Sequence, residues 1–251
     1  MLRGDAFPTS KETLELRLFG CWDLRAGSHA VQLGGREQRL VALLALRGRR
    51  PRSQIAGTLW PDTTDERALT SLRSAVLRIR RSASDLLEFG NSTLALSPDV
   101  RVDLQHVSRW APEIGDLPTR DVRWWVSLLR DAELLPGWYE DWVVFERERL
   151  LHLRLTALES LAQHALDAGD HEQALMAALE AVAIEPLRES AHAIAIRAHL
   201  RAGNRSEAVR EYQGYRRQLR QVLAITTSRE MDDLLRPLLI PAHGGRADRL
   251  P

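Results

Sequence analysis

Cysteine and lysine are almost missing from this sequence. Among 251 residues there is one cysteine, Cys21, and one lysine, Lys11. A single cysteine cannot form an internal disulfide, which excludes a secreted domain held together by disulfides. The longest apolar runs, such as residues 41–46, are far shorter than the roughly 18 residues that a membrane helix needs. No apolar signal segment precedes Pro8. We therefore expect a protein of the reducing cytoplasm without a membrane partner.

Patterns typical of catalysis, nucleotide binding and metal binding are also lacking. The sequence contains no G-x-x-x-x-G-K-[ST] loop for phosphates. The histidine pairs His164/His171 and His192/His199 lie two helical turns apart, roughly 10 Å along a helix axis, which is too far for one metal ion. Serine, cysteine and histidine form no recognisable catalytic set. We predict a protein that is not an enzyme, with no catalytic residue, no metal site and no cofactor.

Charge is distributed unevenly along the chain, although the net charge is only +1. Residues 36–81 contain eleven arginines and four acidic residues, whereas residues 103–240 contain seventeen arginines and twenty-two acidic residues. A basic module is therefore joined to an acidic one. Arginine carries nearly all of the positive charge, and its guanidinium group suits forked contacts with phosphates and guanine.

The basic module has the element order of a winged helix. Residues 14–18 alternate apolar and polar positions, which predicts a strand, and residues 30–33 are predicted to pair with it after a turn at Ala26-Gly27. Three helices follow, over residues 36–47, 53–60 and 67–81. Residues 86–89 and 93–96 flank a turn and predict a hairpin, and residues 100–104 predict a last extended piece. In a winged helix the third helix enters the major groove.

The third helix is amphipathic. Leu69, Leu72, Val76 and Ile79 lie on one face and predict its core side, while Thr63 and Glu66 are spaced as a capping box at its start. The opposite face is polar and basic, and its predicted base-reading residues are Arg67, Thr70, Ser71, Ser74, Arg78 and Arg81. Residues predicted to contact phosphates here and on the neighbouring turn and wing are Arg49, Arg52, Arg73, Arg80, Ser92 and Thr93. The alternative for the helix alone is a solvated basic surface.

A repeat organises the second half of the chain. Leu166, Ala168, Gly169 and Ala174 recur as Leu200, Ala202, Gly203 and Ala208, an offset of 34 residues. This is the period of tetratricopeptide helix pairs. Tyr212 and Tyr215 are interpreted as packing residues of a terminal helix.

The segment that contains Trp124, Trp125, Trp138 and Trp142 is predicted to be helical, with a break at Pro136-Gly137. Its tryptophans are expected to fill the seam between domains or the first layer of the repeat. A hydrophobic ligand site is the alternative.

These motifs resemble those of a known family. The basic module resembles the OmpR/PhoB-type winged helix of the Streptomyces antibiotic regulatory proteins over the segment GREQRLVALLALRGRRPRSQIAGTLWPDTTDERALTSLRSAVLRIRR. The second half resembles the bacterial transcriptional activation domain of the same regulators. The matching segments are Leu134-Leu135-Pro136-Gly137 and residues 142–150, 186–189, 202–208 and 212–219. Two departures stand out: Asn91-Ser92-Thr93 replaces a Gly-Tyr pair on the wing, and residues 223–228 lack the usual Gly and Pro-Ser.

The resemblance implies a mainly α protein with an N-terminal winged helix-turn-helix (α+β) followed by an all-α tetratricopeptide-like helical repeat domain. The implied parts are a flexible tail at 1–13, the DNA-binding domain at 14–105, the activation domain at 106–240 and a flexible tail at 241–251. The implied function is activation of transcription in antibiotic biosynthesis, by a homodimer on promoter direct repeats near the −35 element that recruits RNA polymerase holoenzyme. The alternative is a non-enzymatic helical-repeat adaptor whose basic module binds a protein or RNA.

Overall fold

The computed structural model describes residues 13–104, 122–130 and 133–239, which belong to two compact units. One unit lies within Met1–Arg109 and Ala132–Leu150, and the other within Trp110–Asp131 and Leu151–Pro251. Apart from Thr13, the predicted tails at 1–13 and 241–251 lie outside the described residues. No helix in the described ranges is both long enough and apolar enough to cross a membrane.

The first unit begins with a four-stranded sheet. Its strands are β1 (Leu14–Arg17), β2 (Asp23–Ala26), β3 (His29–Ala30) and β7 (Arg101–Val102), in the order β3-β2-β1-β7. β1 pairs antiparallel with β2, with Leu16 opposite Leu24, and parallel with β7. The prediction that residues 30–33 pair with β1 was wrong. Leu24 is buried beside Leu16, so β2 takes the central position and β3 pairs with the far edge of β2.

Three helices and a small second sheet complete the winged helix. The elements are α1 (Gly35–Arg47), β4 (Arg50–Pro51), α2 (Arg52–Leu59), α3 (Asp65–Ser82), β5 (Leu87–Phe89) and β6 (Thr93–Leu96). The second sheet has the antiparallel order β4-β6-β5, and the β5–β6 hairpin is the wing. The predicted helices and hairpin are confirmed. β4 was not predicted, because two residues are too few to show an alternating pattern.

The predicted capping box at the start of α3 was wrong. Thr64, not Thr63, is the residue before the first helical turn, and its side chain makes no capping hydrogen bond. The Thr63 hydroxyl instead donates to the carbonyl of Trp60 at 3.1 Å. This hydrogen bond belongs to the turn after α2 and does not cap α3. The acidic side chains of Asp65 and Glu66 lie in the first turn of α3, where they interact favourably with the helix dipole.

Residues 133–150 belong to the first unit, although the predicted boundary after residue 105 would assign them to the activation domain. The Leu135 amide donates to the carbonyl of Leu18 at 2.8 Å, and Phe19 forms an isolated antiparallel bridge with Leu134. Arg47 pairs with Glu146 at 2.8 Å. Backbone groups just beyond β1 are thus hydrogen-bonded to residues 134–135. These contacts join residues more than 90 positions apart, so periodicity could not reveal them.

The second unit is a helical repeat. Its helices are α4 (Val122–Arg130), α5 (Asp141–Asp167, from Leu151 onward), α6 (His171–Ile184), α7 (Glu189–Arg201), α8 (Arg205–Val222) and α9 (Arg229–Leu239). Gly169 and Gly203 occupy equivalent turns with φ of 80° and 79°. Their amides donate to Leu166 and Leu200 at 3.2 and 3.1 Å. The 34-residue repeat is therefore confirmed in backbone geometry.

Small side chains allow the paired helices to approach closely. The four alanines on the inner side of α6 are fully buried, namely Ala174, Ala177, Ala178 and Ala181. Tyr212 and Tyr215 lie in a core that also contains Ile196, Leu219 and Met231. The interpretation of these tyrosines as packing residues is confirmed.

The tryptophans differ in environment. Trp125 and Trp142 are buried, and Trp138 stacks on Trp22 in the first unit with ring centroids 6.0 Å apart. Trp124 is 56% exposed. The predicted helical segment is confirmed in part: Trp124 and Trp125 lie in α4 and Trp142 lies in α5. Trp138 lies in the non-helical stretch 133–140, which contains the predicted break at Pro136-Gly137.

Candidate nucleic-acid interface

Helix α3 presents one apolar and one polar face, as predicted. Its buried residues are Ala68, Leu72, Ala75, Val76 and Ile79. Leu69, which was predicted to be in the core, is only half-buried. The alanines at 68 and 75 take the central places instead, because their small side chains let α3 lie close to α2 and α1. Packing of α3 against these two helices turns its polar face to solvent.

Most predicted base-reading residues lie on this solvent face. Arg67, Thr70, Arg78 and Arg81 are exposed, while Ser71 and Ser74 are half-buried. The Thr70 hydroxyl donates to the Glu66 carbonyl at 2.9 Å, and the Ser74 hydroxyl donates to the Thr70 carbonyl at 3.1 Å. Both hydroxyls are therefore held against the helix, which keeps the polar face shallow and lets a flat or grooved partner approach the backbone.

Among the base-reading candidates, Arg78 forms an ion pair with a residue of another helix. Its Nη1 atom lies 3.2 Å from Oε1 of Glu37 in α1, and the two side chains are 53% and 4% exposed. Gly34 leaves room for this carboxylate, since a Cβ at Gly34 would lie 2.5 Å from Glu37 Oε2. Half of the Arg78 side chain remains accessible. Glu37 therefore orients an arginine on the polar face of α3 and neutralises part of its charge.

Four of the six predicted phosphate contacts meet at the wing. Arg49 Nη2 lies 2.6 Å from Glu88 Oε1, and Arg49 Nη1 donates to the Thr93 hydroxyl at 3.4 Å. The guanidinium groups of Arg52 and Arg80 lie 5.9 and 5.3 Å from the ring centroid of Phe89. These distances suit cation–π contacts. Phe89 of the wing thus brings together an arginine from α2 and one from α3.

The other two predicted phosphate contacts lie differently. The Ser92 carbonyl accepts a hydrogen bond from the Arg52 amide at 3.0 Å, which ties the wing turn to the start of α2. Arg73 is exposed on α3. Within the described ranges, Arg67, Arg73 and Arg81 form no ion pair. Their charges are therefore not neutralised by a described carboxylate, and such arginines can contribute fully to an anionic partner.

Two exposed apolar residues of this surface were not predicted from the sequence. Leu77 of α3 is 51% exposed, and Phe89 of the wing is 41% exposed. Leu77 lies outside the apolar stripe of an amphipathic helix, and that departure was the signal that could have identified it. An apolar side chain on a base-reading face can contact the methyl group of thymine. The signal for Phe89 was weaker, because aromatic residues are common in strands.

Comparison with known proteins agrees with this architecture. Residues 124–239 match the profile of the bacterial transcriptional activator domain family. Over 94% of its length the chain is 27% identical to Regulatory protein AfsR of Streptomyces griseus and 28% identical to Regulatory protein AfsR of Streptomyces coelicolor. The chain carries a bacterial transcriptional activator domain. It therefore joins a winged helix to a domain of the kind found in bacterial transcriptional activators.

The chain spans 26% of the length of those two relatives. It also shares its fold with the solved structure of Mycobacterium tuberculosis EmbR in complex with a low affinity phosphopeptide. The TM-score is 0.73 at 18% identity, over 89% of this chain and 64% of that chain. The predicted fold class, a winged helix-turn-helix followed by helical repeats, is confirmed.

Proposed function

We propose that this regulator is a sequence-specific DNA-binding activator whose helix α3 enters the major groove of promoter DNA. The observation that carries the proposal is the exposed polar face of α3, on which Arg67, Arg73 and Arg81 form no ion pair with a described residue. A helix fits the width of the major groove, and arginine is the side chain that most often reads guanine there. The wing arginines would contact the flanking phosphates.

The proposed target is a pair of direct repeats near the −35 element of promoters for antibiotic biosynthesis genes. Two relatives of this chain are Streptomyces proteins named Regulatory protein AfsR, which supports a regulatory role. Direct repeats place neighbouring copies in the same orientation, so a homodimer on this DNA is head-to-tail. The activator domain would then recruit RNA polymerase holoenzyme.

Footprinting of the full-length protein on promoter DNA, followed by titration of the protected duplex at several salt concentrations, tests the proposal. We expect a protected pair of direct repeats and a logarithmic affinity that falls linearly with the logarithm of salt concentration. A matched RNA duplex of the same sequence is the control. Equal binding to RNA, or binding without any protected sequence, would favour the adaptor function instead.

Leu77→Ala sharpens the same test. Because Leu77 is 51% exposed, truncating it should leave the free energy of unfolding almost unchanged. If Leu77 contacts a thymine methyl, specific affinity should fall by about 1 kcal/mol or more while non-specific affinity stays constant. Leu179→Ala is a matched control, because Leu179 is a 40% exposed leucine of the helical repeat. Its replacement should alter neither affinity.

A further inference from the structure

Two exposed stripes of opposite charge remain outside the proposed DNA contacts. The first is on and just before the start of α5, within the first compact unit, and we call it the acidic stripe. It consists of Tyr139, Asp141, Val144, Phe145 and Glu148. The tyrosine is 83% exposed, the phenylalanine 65% and the valine 40%. Both carboxylates are exposed, and neither has an ion-pair partner among the described residues.

The spacing of the acidic stripe suits a helix partner. Asp141, Phe145 and Glu148 are separated by four and three residues on α5, so they lie along one face with an aromatic ring between two carboxylates. Beside this face, residues of α2, Pro61 and the start of α5 line an open groove with a volume of about 570 Å³. Exposed apolar side chains that are this close together mark an interaction surface.

The second stripe is at the end of α8 in the other unit, and we call it the basic stripe. It consists of Arg217, Arg220, Val222, Leu223 and Ile225. All five residues are exposed; the three apolar ones are exposed by 61%, 50% and 51%. The two acidic residues of α8 are already engaged elsewhere, because Glu207 pairs with Arg210 and Glu211 with His192. Neither arginine of the stripe forms an ion pair within the described part of the chain.

We infer that the acidic stripe of one copy binds the basic stripe of a second copy of this chain. Each stripe offers what the other lacks: carboxylates meet guanidinium groups, and exposed aromatic rings meet both arginines and aliphatic side chains. Phosphates would satisfy the arginines of the basic stripe but would leave its three apolar side chains in water. A protein surface with acidic and apolar groups covers all five residues, and the acidic stripe is such a surface.

The contact is head-to-tail, because two different surfaces meet and each copy keeps one unused stripe. Such a contact needs no two-fold axis between the copies, so it is compatible with the equal orientation of copies on direct repeats. The inference rests on the proposed function, in which adjacent copies occupy such repeats, and it assigns the residues that would join them. The gain on DNA is one of effective concentration, since the first bound copy holds the second near its site.

Charge reversal in the full-length protein tests the pairing. One variant carries Asp141→Arg and Glu148→Arg, another carries Arg217→Glu and Arg220→Glu, and a third carries all four changes. Affinity is measured on a duplex with one repeat and on a duplex with two. Each double reversal should lower cooperativity on two repeats by about tenfold, since it replaces attractive charge pairs with repulsive ones. The third variant exchanges the charges and should regain cooperativity.

The controls separate this inference from the proposed function. Glu133→Arg and Arg205→Glu reverse exposed charges outside both stripes and should leave cooperativity unchanged. All variants should bind a single repeat like the original protein. If the arginine reversals weaken single-repeat binding, α8 contacts DNA and the inference is wrong. Absence of single-repeat binding in the unaltered protein would overturn the proposed function instead.

A second readout does not depend on DNA. Sedimentation velocity at increasing protein concentration should show weak self-association of the unaltered protein, loss of association in each double reversal, and recovery when the two double-reversal variants are mixed. Recovery on mixing requires contact between copies, because each variant retains the stripe that the other has lost. Equal sedimentation of all variants would overturn the inference. Binding of RNA polymerase holoenzyme is measured for the same variants. If either double reversal abolishes polymerase binding but leaves self-association unchanged, the stripes bind polymerase and the inference is wrong.

Discussion

Glu37 Oε1 in α1 lies 3.2 Å from Arg78 Nη1 in α3. A buried carboxylate of α1 is thus paired with a half-exposed arginine of α3, the candidate DNA-reading helix. Among the described residues, no hydrogen bond reaches this oxygen atom. Arg78 is therefore the ion-pair partner of this carboxylate among the described residues. The pair couples the stability of the winged helix to the side chain that is proposed to read DNA.

Arg78→Ala should have two separable effects. Specific binding should weaken by about 1–3 kcal/mol, with relaxed preference at one base pair, if Arg78 forks onto guanine. The free energy of unfolding should fall by about 1–3 kcal/mol, because Glu37 loses its counter-charge while buried. Urea titration and binding to single-base operator variants measure the two effects.

A double-mutant cycle with Glu37→Gln isolates the pair. In the Glu37→Gln background, Arg78→Ala should cost less stability, because no buried charge is left alone. Arg81→Ala is the control, since Arg81 is exposed without an ion pair to a described residue; it should weaken binding without destabilising the fold. An equal binding loss on every DNA sequence would make Arg78 a phosphate contact.

Arg52→Ala should weaken binding to all DNA sequences to a similar extent. Arg52 begins α2 beside the wing and lies over Phe89, a position that suits a phosphate contact. Loss of one such contact should reduce the slope of logarithmic affinity against logarithmic salt concentration by about one unit. Arg101→Ala, on the exposed edge strand β7, is the control. An unchanged slope for Arg52→Ala would remove this residue from the interface.

Ala224→Gly should stabilise the second unit. Ala224 follows α8 with a φ of 57°, in the left-handed region where a side chain costs roughly 1–2 kcal/mol. The sequence departs here from the regulators that it resembles, in which a glycine is usual at this turn. Conversely, Gly203→Ala should destabilise by a similar amount, because the φ of Gly203 is 79°.

Gly214→Ala is the matched control for both substitutions. Gly214 lies inside α8, and a Cβ there would meet no atom within 4 Å. Alanine should therefore stabilise α8 by up to about 1 kcal/mol through its higher helix propensity. Thermal or urea unfolding of the three variants measures these differences. A loss of stability in Ala224→Gly would contradict the argument from backbone conformation.

Glu211 should make the helical repeat less stable in acid. Its hydrogen bond with His192, at 2.7 Å, holds the pKa of the Glu211 carboxyl below its ordinary value of 4.5, although burial acts in the opposite direction. A lowered pKa in the folded state means that the stabilisation is fully present above the unfolded pKa and is lost as pH falls through the folded pKa. The loss should therefore begin below about pH 5.

Glu211→Gln tests this pH dependence. Urea unfolding at pH 7, 5 and 4 should show a smaller loss of stability on acidification for Glu211→Gln than for the original protein. Glu207→Gln is the control, because Glu207 lies on the same helix and its ion pair among the described residues is with the exposed Arg210. An identical pH dependence for all three proteins would show that the pair with His192 does not carry the effect.

Several features were readable from the sequence because they depend on local patterns. The 34-residue repeat was visible because each helix pair needs a residue that tolerates positive φ at the same place, and Gly169 and Gly203 provide it. The apolar stripe of α3 and the β5–β6 hairpin were visible because helical and strand periods differ. Arginine clustering identified the basic unit, since charge needs no knowledge of the fold.

Other features exist only because distant segments meet. β2 became the central partner of β1, and residues 133–150 joined the first unit through Leu135 and Glu146. The pairing of Glu37 with Arg78, and of Arg52 and Arg80 with Phe89, likewise joins separate elements. Composition and periodicity describe which side of an element faces the core. Which partner an exposed edge or a buried charge then takes depends on packing between elements, and only the tertiary structure decides it.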